Sequence, residues 1–396
     1  MKSRDHSVKS RFKIKPVREW GKSLGEAVNS LLVDYDYRII IAVLILAIFG
    51  IIMVFSAGYY STMVQAQNDP FYLLKKQAMF VLLGFFLMYI FAKIDYHRYI
   101  KWAPAIVVAS IGFLLILMTP LGVEVNFATR WIVIFGISIT PSEFSKLAMI
   151  IAASVFLAKK PERSRDFVHG ILPLFVLTAV HAGLIIWQPN LSTAIVICAI
   201  VIGIMFVAGL SWGYIFASLG ALAGGVVIIL LFFKDMHWYT RLTSFLDPFA
   251  EAQGDGYQVA QSIIALGNGG LTGLGLGNSV SKTLYLPEPQ NDFILAIIGE
   301  ELGFVGVFIL MCVYAFLLWR IFLVALGAKD KLGLFLASGI GIMLALQVII
   351  NIGVVTSSMP ATGISLPFIS YGGTSILVFM TAMGILLNIS KKEGAV

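Results

Sequence analysis

Apolar residues fall in ten long, nearly uninterrupted runs, at about 39–59, 77–92, 102–117, 143–158, 171–187, 191–210, 212–233, 293–319, 332–355 and 373–389. A helix crossing a hydrocarbon core needs ~20 predominantly apolar residues, so each run predicts a membrane-spanning helix. Polar residues, glycines and prolines collect between the runs. Only the turn Gln188-Pro189-Asn190 separates the fifth from the sixth. Near the amino terminus, Trp20, Leu24, Ala27, Val28 and Leu31 recur at helical spacing opposite Lys22, Glu26 and Ser30. That pattern suits a helix lying along the inner leaflet, with a docking element for a cytoplasmic partner as the competing reading. The first run follows 38 mostly polar residues and does not read as a cleavable signal.

Composition narrows the class. The chain has 396 residues, 59% apolar and 12% charged, whereas soluble domains run ~45–50% apolar and ~25% charged. Intrinsic disorder is excluded by the same figures. Cys198 and Cys312 both lie in apolar runs, so neither a disulfide framework nor metal-type spacing is present. The net charge of +7 reads as an orientation signal and not as a nucleic-acid footprint. With the amino terminus placed in the cytoplasm, 21 Lys and Arg fall on the inner side and seven on the outer. The expected fold is an all-α, polytopic membrane protein of about ten transmembrane helices. Both termini are cytoplasmic, and a large extracytoplasmic loop joins spans 7 and 8. The expected organisation is a basic cytoplasmic tail (1–38), one membrane domain (39–390, with the outer loop at 234–291) and a short cytoplasmic tail (391–396).

The outer segments hold the unusual residues. Thr140-Pro141-Ser142-Glu143 reads as a capping box with proline in the first turn, so Glu143 serves equally well as a cap or as a cavity residue. Lys146 lies one turn into an apolar helix on the face of Glu143. Ionisable groups inside spans are costly and face partners or polar cavities, which makes Lys146 a functional candidate. Glu300 and Glu301 stand two turns inside span 8; one is expected to pair with a cation such as Lys146, the other to be structural.

The long loop carries an apolar patch at Tyr257, Val259, Ile263, Ile264 and Leu266, read as a short helix resting in the interface. The glycine-rich stretch from Gly267 to Ser279 lacks the ending of a nucleotide P-loop. Its amides could cradle a phosphate, but a re-entrant turn is the plainer reading. In Pro287-Glu288-Pro289-Gln290-Asn291-Asp292, either Asn291 or Asp292 could cap the next helix. Glu288 and Asp292 also sit where an apolar surround can raise a carboxylate toward the working range of a general base. The uncharged segment from Ser357 to Gly373 is apolar yet broken by glycine and proline. Such backbone is tolerated at membrane depth only when buried or lining a cavity, so it predicts a cavity wall.

Taken in order, Arg130-Trp131, Pro141-Ser142-Glu143-x-x-Lys146, Gly275-Leu276-Gly277-Asn278-Ser279, Pro287-Glu288 with Asp292-Phe293, Gly299-Glu300-Glu301-Leu302-Gly303 and Leu366-Pro367-Phe368-Ile369-Ser370-Tyr371-Gly372-Gly373 resemble the SEDS family of shape, elongation, division and sporulation proteins. The resemblance spans all ten runs. The Tyr285-to-Gln290 stretch, Gly275-Leu276-Gly277-Asn278-Ser279 and the Leu386-Leu387-Asn388-Ile389-Ser390 ending are more similar to the division and sporulation branch than to the RodA branch. Asn190 and Ser192 depart from the family's usual Gln-Pro-Asp-Leu-Gly-Thr; a capping role for Asn190 accommodates the change.

The resemblance implies a peptidoglycan glycosyltransferase of the bacterial cytoplasmic membrane. It would polymerise lipid II, a disaccharide-pentapeptide on undecaprenyl pyrophosphate, at the outer face. The implied partners are a class B penicillin-binding transpeptidase and other divisome membrane proteins. The resemblance makes Asp292 the essential catalytic residue, placed to act as general base, and Arg130 and Lys146 functionally sensitive. As cations, the latter two suit the developing pyrophosphate charge. Glu143, Glu288, Gly277 and Tyr371 are expected to shape the cavity. No ligand cluster for a structural metal is present in the sequence; a divalent cation such as Mg²⁺ carried by the pyrophosphate is the open alternative. Two competing functions are a lipid II flippase, given buried acids beside broken helices, and a non-catalytic divisome scaffold.

Overall fold

The computed structural model describes residues 35–65, 69–125, 128–134, 136–160, 166–232, 245, 247–249, 255–283 and 285–391. The expected inner-leaflet helix at 20–31 lies outside the described residues. Each apolar run contains a helix: α1 (Tyr37–Gln65), α2 (Tyr72–Lys93), α3 (Tyr99–Ile116), α4 (Pro141–Lys159), α5 (Leu172–Trp187), α6 (Leu191–Val207) and α7 (Trp212–Phe232), with α8 (Asp255–Gly269) in the long loop, then α9 (Ile294–Leu326), α10 (Lys331–Val355) and α11 (Gly373–Ile389). Short polar side chains end the runs where the pattern predicts. Asn190 Oδ1 accepts from Thr193 N–H at 3.3 Å and starts α6. Asp330 Oδ1 does the same for Gly333 N–H at 2.8 Å before α10. Among the described residues, seven helices are long and apolar enough to cross a membrane. The helices α6 and α11 have 17 residues each, about 25 Å at 1.5 Å per residue.

The helix α4 is the centre of the bundle, packed against α3, α6, α10 and α11. Consistent with that position, Met149, Ile150, Ala153 and Leu157 are fully buried along it. A second seam joins α2 to α11, where Gly84 meets Met380, Gly373 lies on Phe80 and Gly384 on the Met88 carbonyl. Small residues let apolar helices approach closely when no hydrophobic drive separates helix from lipid.

The all-α expectation misses one element. The segment between α3 and α4 forms an antiparallel three-stranded sheet, β1 (Gly122–Val125), β2 (Ala128–Ile134) and β3 (Ile137–Ile139), in the order β1-β2-β3. Trp131 pairs with Val123 and Ile132 with Ile139. Ile132, Val133, Ile134, Ile137 and Ile139 are β-branched, and such residues favour strands over helices. A hydrogen bond from Thr140 N–H to Thr374 Oγ1 at 3.1 Å pins the end of the sheet to the start of α11.

The other departure is inside α9. Gly303 breaks the helix with φ 66° and ψ −170°, a conformation essentially confined to glycine. The glycine-rich segment after α8 fills the break. Leu274 N–H donates to the Glu300 carbonyl at 3.0 Å and Gly275 N–H to that of Glu301 at 2.9 Å. In return the Phe304 and Val305 amides donate to the Gly270 and Leu271 carbonyls. The phosphate-cradle reading of this stretch therefore fails for Leu274 and Gly275, whose amides serve the broken helix. A Cβ on Gly303 would stand 2.4 Å from the Gly273 nitrogen. Gly303→Ala is accordingly expected to cost about 3 kcal/mol from backbone strain and overpacking. Thermal unfolding in detergent would show a lowered midpoint; an unchanged midpoint would contradict this account of the break.

Candidate active site

Asp292 stands two residues before α9, next to its N-cap. The N-cap position falls on Phe293, so neither Asn291 nor Asp292 is the cap considered from the sequence. The turn is held instead by Glu288, whose carboxylate accepts from Gln290 Nε2 at 3.2 Å and Asn291 Nδ2 at 2.7 Å. The Gln290 carbonyl accepts from Tyr371 N–H at 2.9 Å, linking this turn to the segment before α11. Arg130 projects from β2 and donates through Nη2 to the Pro189 carbonyl in the α5–α6 turn. Arg130 and Asp292 meet at Gly363: a Cβ there would lie 3.4 Å from Asp292 Oδ2 and 3.7 Å from Arg130 Nη1. Gly363 adopts φ +70°, which an L-residue takes only at a cost of ~1 kcal/mol or more. Both side chains are half-buried and Gly363 is exposed. A carboxylate and a guanidinium thus share a place that a ligand can reach.

The segment from Ser357 to Gly372 is irregular, and its stretch from Leu366 to Ser370 is buried: Leu366, Phe368 and Ile369 are 1% exposed or less. Its carbonyls find donors on three helices. Gln77 Nε2 of α2 reaches the Ser370 carbonyl at 3.3 Å, Tyr314 of α9 donates to Pro367, and Asn351 of α10 to Ile364 at 2.9 Å. Buried non-helical backbone needs such partners. Burial, with Tyr72 close by, pushes the Tyr371 phenol above its ordinary range, so it remains a hydrogen-bond donor.

Glu143 and Lys146 form the pair expected from their spacing. Lys146 Nζ lies 2.6 Å from Glu143 Oε1, with side chains 2% and 15% exposed. The capping box itself does not form, because the Thr140 side chain makes no cap bond and Glu143 turns to Lys146. Glu143 Oε2 is buried with no hydrogen-bond partner among the described residues.

The two acids of α9 depart from expectation. Glu301 pairs with Lys282, not Lys146: Nζ to Oε1 is 2.7 Å, with the side chains 3% and 0% exposed. Ser56 Oγ of α1 donates to the same carboxylate at 2.7 Å. Glu300, also fully buried, accepts from the Ser279 hydroxyl and from the amide nitrogens of Val280 and Ser281. Both acids therefore grip 279–282, and the chain from there to α9 is a closed loop carrying Glu288 and Asp292. Lys146 is one turn inside a central helix and already has Glu143, so the Glu301 charge is met by a nearer cation. Gly277, at φ +85°, stands in open space just before this loop. The helix α8 forms at the predicted apolar patch, but it packs on α9, with Ser262 Oγ bonded to the Val355 carbonyl at 2.9 Å.

Lys282 and Asn351 escape the sequence reading. Lys282 lies in a polar stretch and looks like any surface cation. Asn351 gives a clearer signal: with Gln347 it forms an i, i+4 polar pair in an otherwise apolar run.

Residues 37–394 match the family model described as cell cycle protein, FtsW/RodA/SpoVE. Stage V sporulation protein E of Bacillus subtilis is 40% identical over 358 residues, covering 90% of this chain and 97% of that protein. A probable peptidoglycan glycosyltransferase FtsW of a Geobacter species is 37% identical over 361 residues, with the same coverage. A solved structure described as structural coordination of polymerization and crosslinking by a peptidoglycan synthase complex matches with TM-score 0.74 and 29% identity, over 90% of this chain and 98% of that one. The rod shape determining protein RodA of Thermus thermophilus matches with TM-score 0.66 and 28% identity, over 90% and 97%.

Proposed function

The chain belongs to the FtsW/RodA/SpoVE family, and from that premise we propose that it is a peptidoglycan glycosyltransferase that polymerises lipid II at the outer face of the bacterial cytoplasmic membrane. The observation that carries the reading is the convergence of Asp292 and Arg130 on exposed Gly363. In the proposed reaction Asp292 takes the proton of the acceptor sugar hydroxyl as its oxygen bonds to the anomeric carbon of the donor chain. The bond from that carbon to the pyrophosphate oxygen breaks, and the electron pair leaves with the lipid pyrophosphate. Arg130 stabilises that charge, with Lys146, neutralised by Glu143 in the resting protein, as the second cation. Direct displacement inverts the anomeric carbon and forms no covalent enzyme intermediate.

All ten long helices span the membrane in this reading, with both termini cytoplasmic and the loop before α9 outside, as the 21-to-seven charge bias supports. The prenyl chains would occupy apolar grooves between helices, leaving the sugars beside Asp292. A class B penicillin-binding transpeptidase is the proposed partner, in keeping with the synthase complex that the fold resembles. The test is purified chain with fluorescent lipid II, with and without a candidate transpeptidase. Glycan strands of many disaccharides are expected, in larger yield with the cognate partner. Unreacted lipid II under both conditions would overturn the assignment.

A further inference from the structure

We infer that Asn351 is a positioning residue for Asp292, its side-chain amide tying the main chain of the acid to the main chain beside Gly363. The inference deepens the proposed function and rests on Asp292 being the general base. Asn351 is 1% exposed, in the last turns of α10. Its Nδ2 donates to the Asp292 carbonyl at 2.8 Å and to the Ile364 carbonyl at 2.9 Å. Ile364 follows Gly363 directly, so one rigid NH₂ group sets the spacing between the segment carrying the carboxylate and the place where Asp292 and Arg130 meet. The tie acts on the Asp292 main chain and not on its carboxylate.

The neighbouring residue on the same helix face shows that a buried amide alone does not make this tie. Gln347, one turn away, is fully buried, and neither its Nε2 nor its Oε1 has a hydrogen-bond partner among the described residues. Asn351 Oδ1 is likewise buried with no such partner. Burying a polar atom unmatched is costly, and at Asn351 the two donations to the site offset that cost.

Asn351→Leu keeps the number and branching of side-chain heavy atoms and removes both N–H donors. Catalytic groups lose about 10²-fold in rate when displaced by ~1 Å. The single-turnover rate of lipid II polymerisation, counted per lipid II-bound enzyme, is therefore expected to fall roughly 10- to 100-fold. Lipid II affinity should change by less than about twofold, because Asn351 is buried and its amide is engaged with main-chain carbonyls. Gln347→Leu is the control and should leave both quantities unchanged. A wild-type rate in Asn351→Leu overturns the inference, and so does an equal loss in Gln347→Leu. Should Asn351→Leu fail to fold, Asn351→Ala, smaller and without a side-chain donor, is read in its place against the same outcomes. Asp292→Ala runs alongside. If it polymerises normally, the general-base reading itself fails; if it is inactive while Asn351→Leu turns over normally, only the positioning role fails.

Discussion

Asp292→Ala is expected to lower the rate of lipid II polymerisation by about 10²- to 10⁴-fold, the range by which a positioned general base accelerates proton transfer. The acceptor hydroxyl is a poor nucleophile until its proton is accepted, and the bond to the leaving pyrophosphate cannot break productively without it. Asp292→Asn should lose as much, because its amide nitrogen donates where the carboxylate must accept. Asp292→Glu should retain a fraction only, since the extra methylene moves the carboxylate past Gly363 by ~1 Å. Gel separation of fluorescent glycan strands checks the series. Polymer at the wild-type rate from the alanine variant would remove Asp292 from the chemistry.

The second large effect is on folding. Glu301→Ala is expected to destabilise the protein by about 3–5 kcal/mol, the usual cost of stranding one charge of a buried pair. Lys282, 3% exposed, would be left, among the described residues, with Ser56 Oγ at 3.1 Å as its side-chain hydrogen-bond partner. Lys282→Met should cost a similar amount by leaving Glu301 with Ser56 alone. Replacing both, as in Lys282→Met with Glu301→Leu, should recover much of the loss, because apolar groups of similar volume often substitute for a buried pair without penalty. Unfolding in detergent measures each variant. Single variants within ~1 kcal/mol of wild type would show that the pair is hydrated and not buried.

The ten helices were legible because each apolar run is bounded by a charge, a proline or a capping residue, so pattern and ends agree. Glu143 and Lys146 were legible for the same reason: three residues apart in one helix, their meeting follows from local geometry. The sheet from Gly122 to Ile139 was not, because its strands are short and sit where a long loop reads equally well. Nor was the pairing of Glu301 with Lys282. It depends on the break at Gly303 drawing the glycine-rich segment onto α9, and no local pattern announces which cation a buried acid will meet. The meeting of Arg130 and Asp292 at Gly363 joins three segments far apart in sequence, and periodicity carries no information about such encounters. Asn351 shows the intermediate case: a lone polar pair in an apolar helix marks a site, while its partners emerge only from the fold.

Proteoliposomes loaded with lipid II test most directly whether Asp292 serves as the base of a polymerisation reaction. Glycan strands and lipid translocation are read in the same vesicles for the wild-type chain and for Asp292→Asn, matched for lipid II binding. The account predicts strands from the wild type and none from the variant at equal occupancy. Strands from Asp292→Asn at the wild-type rate, or translocated lipid II with no polymer from the wild type, would contradict it.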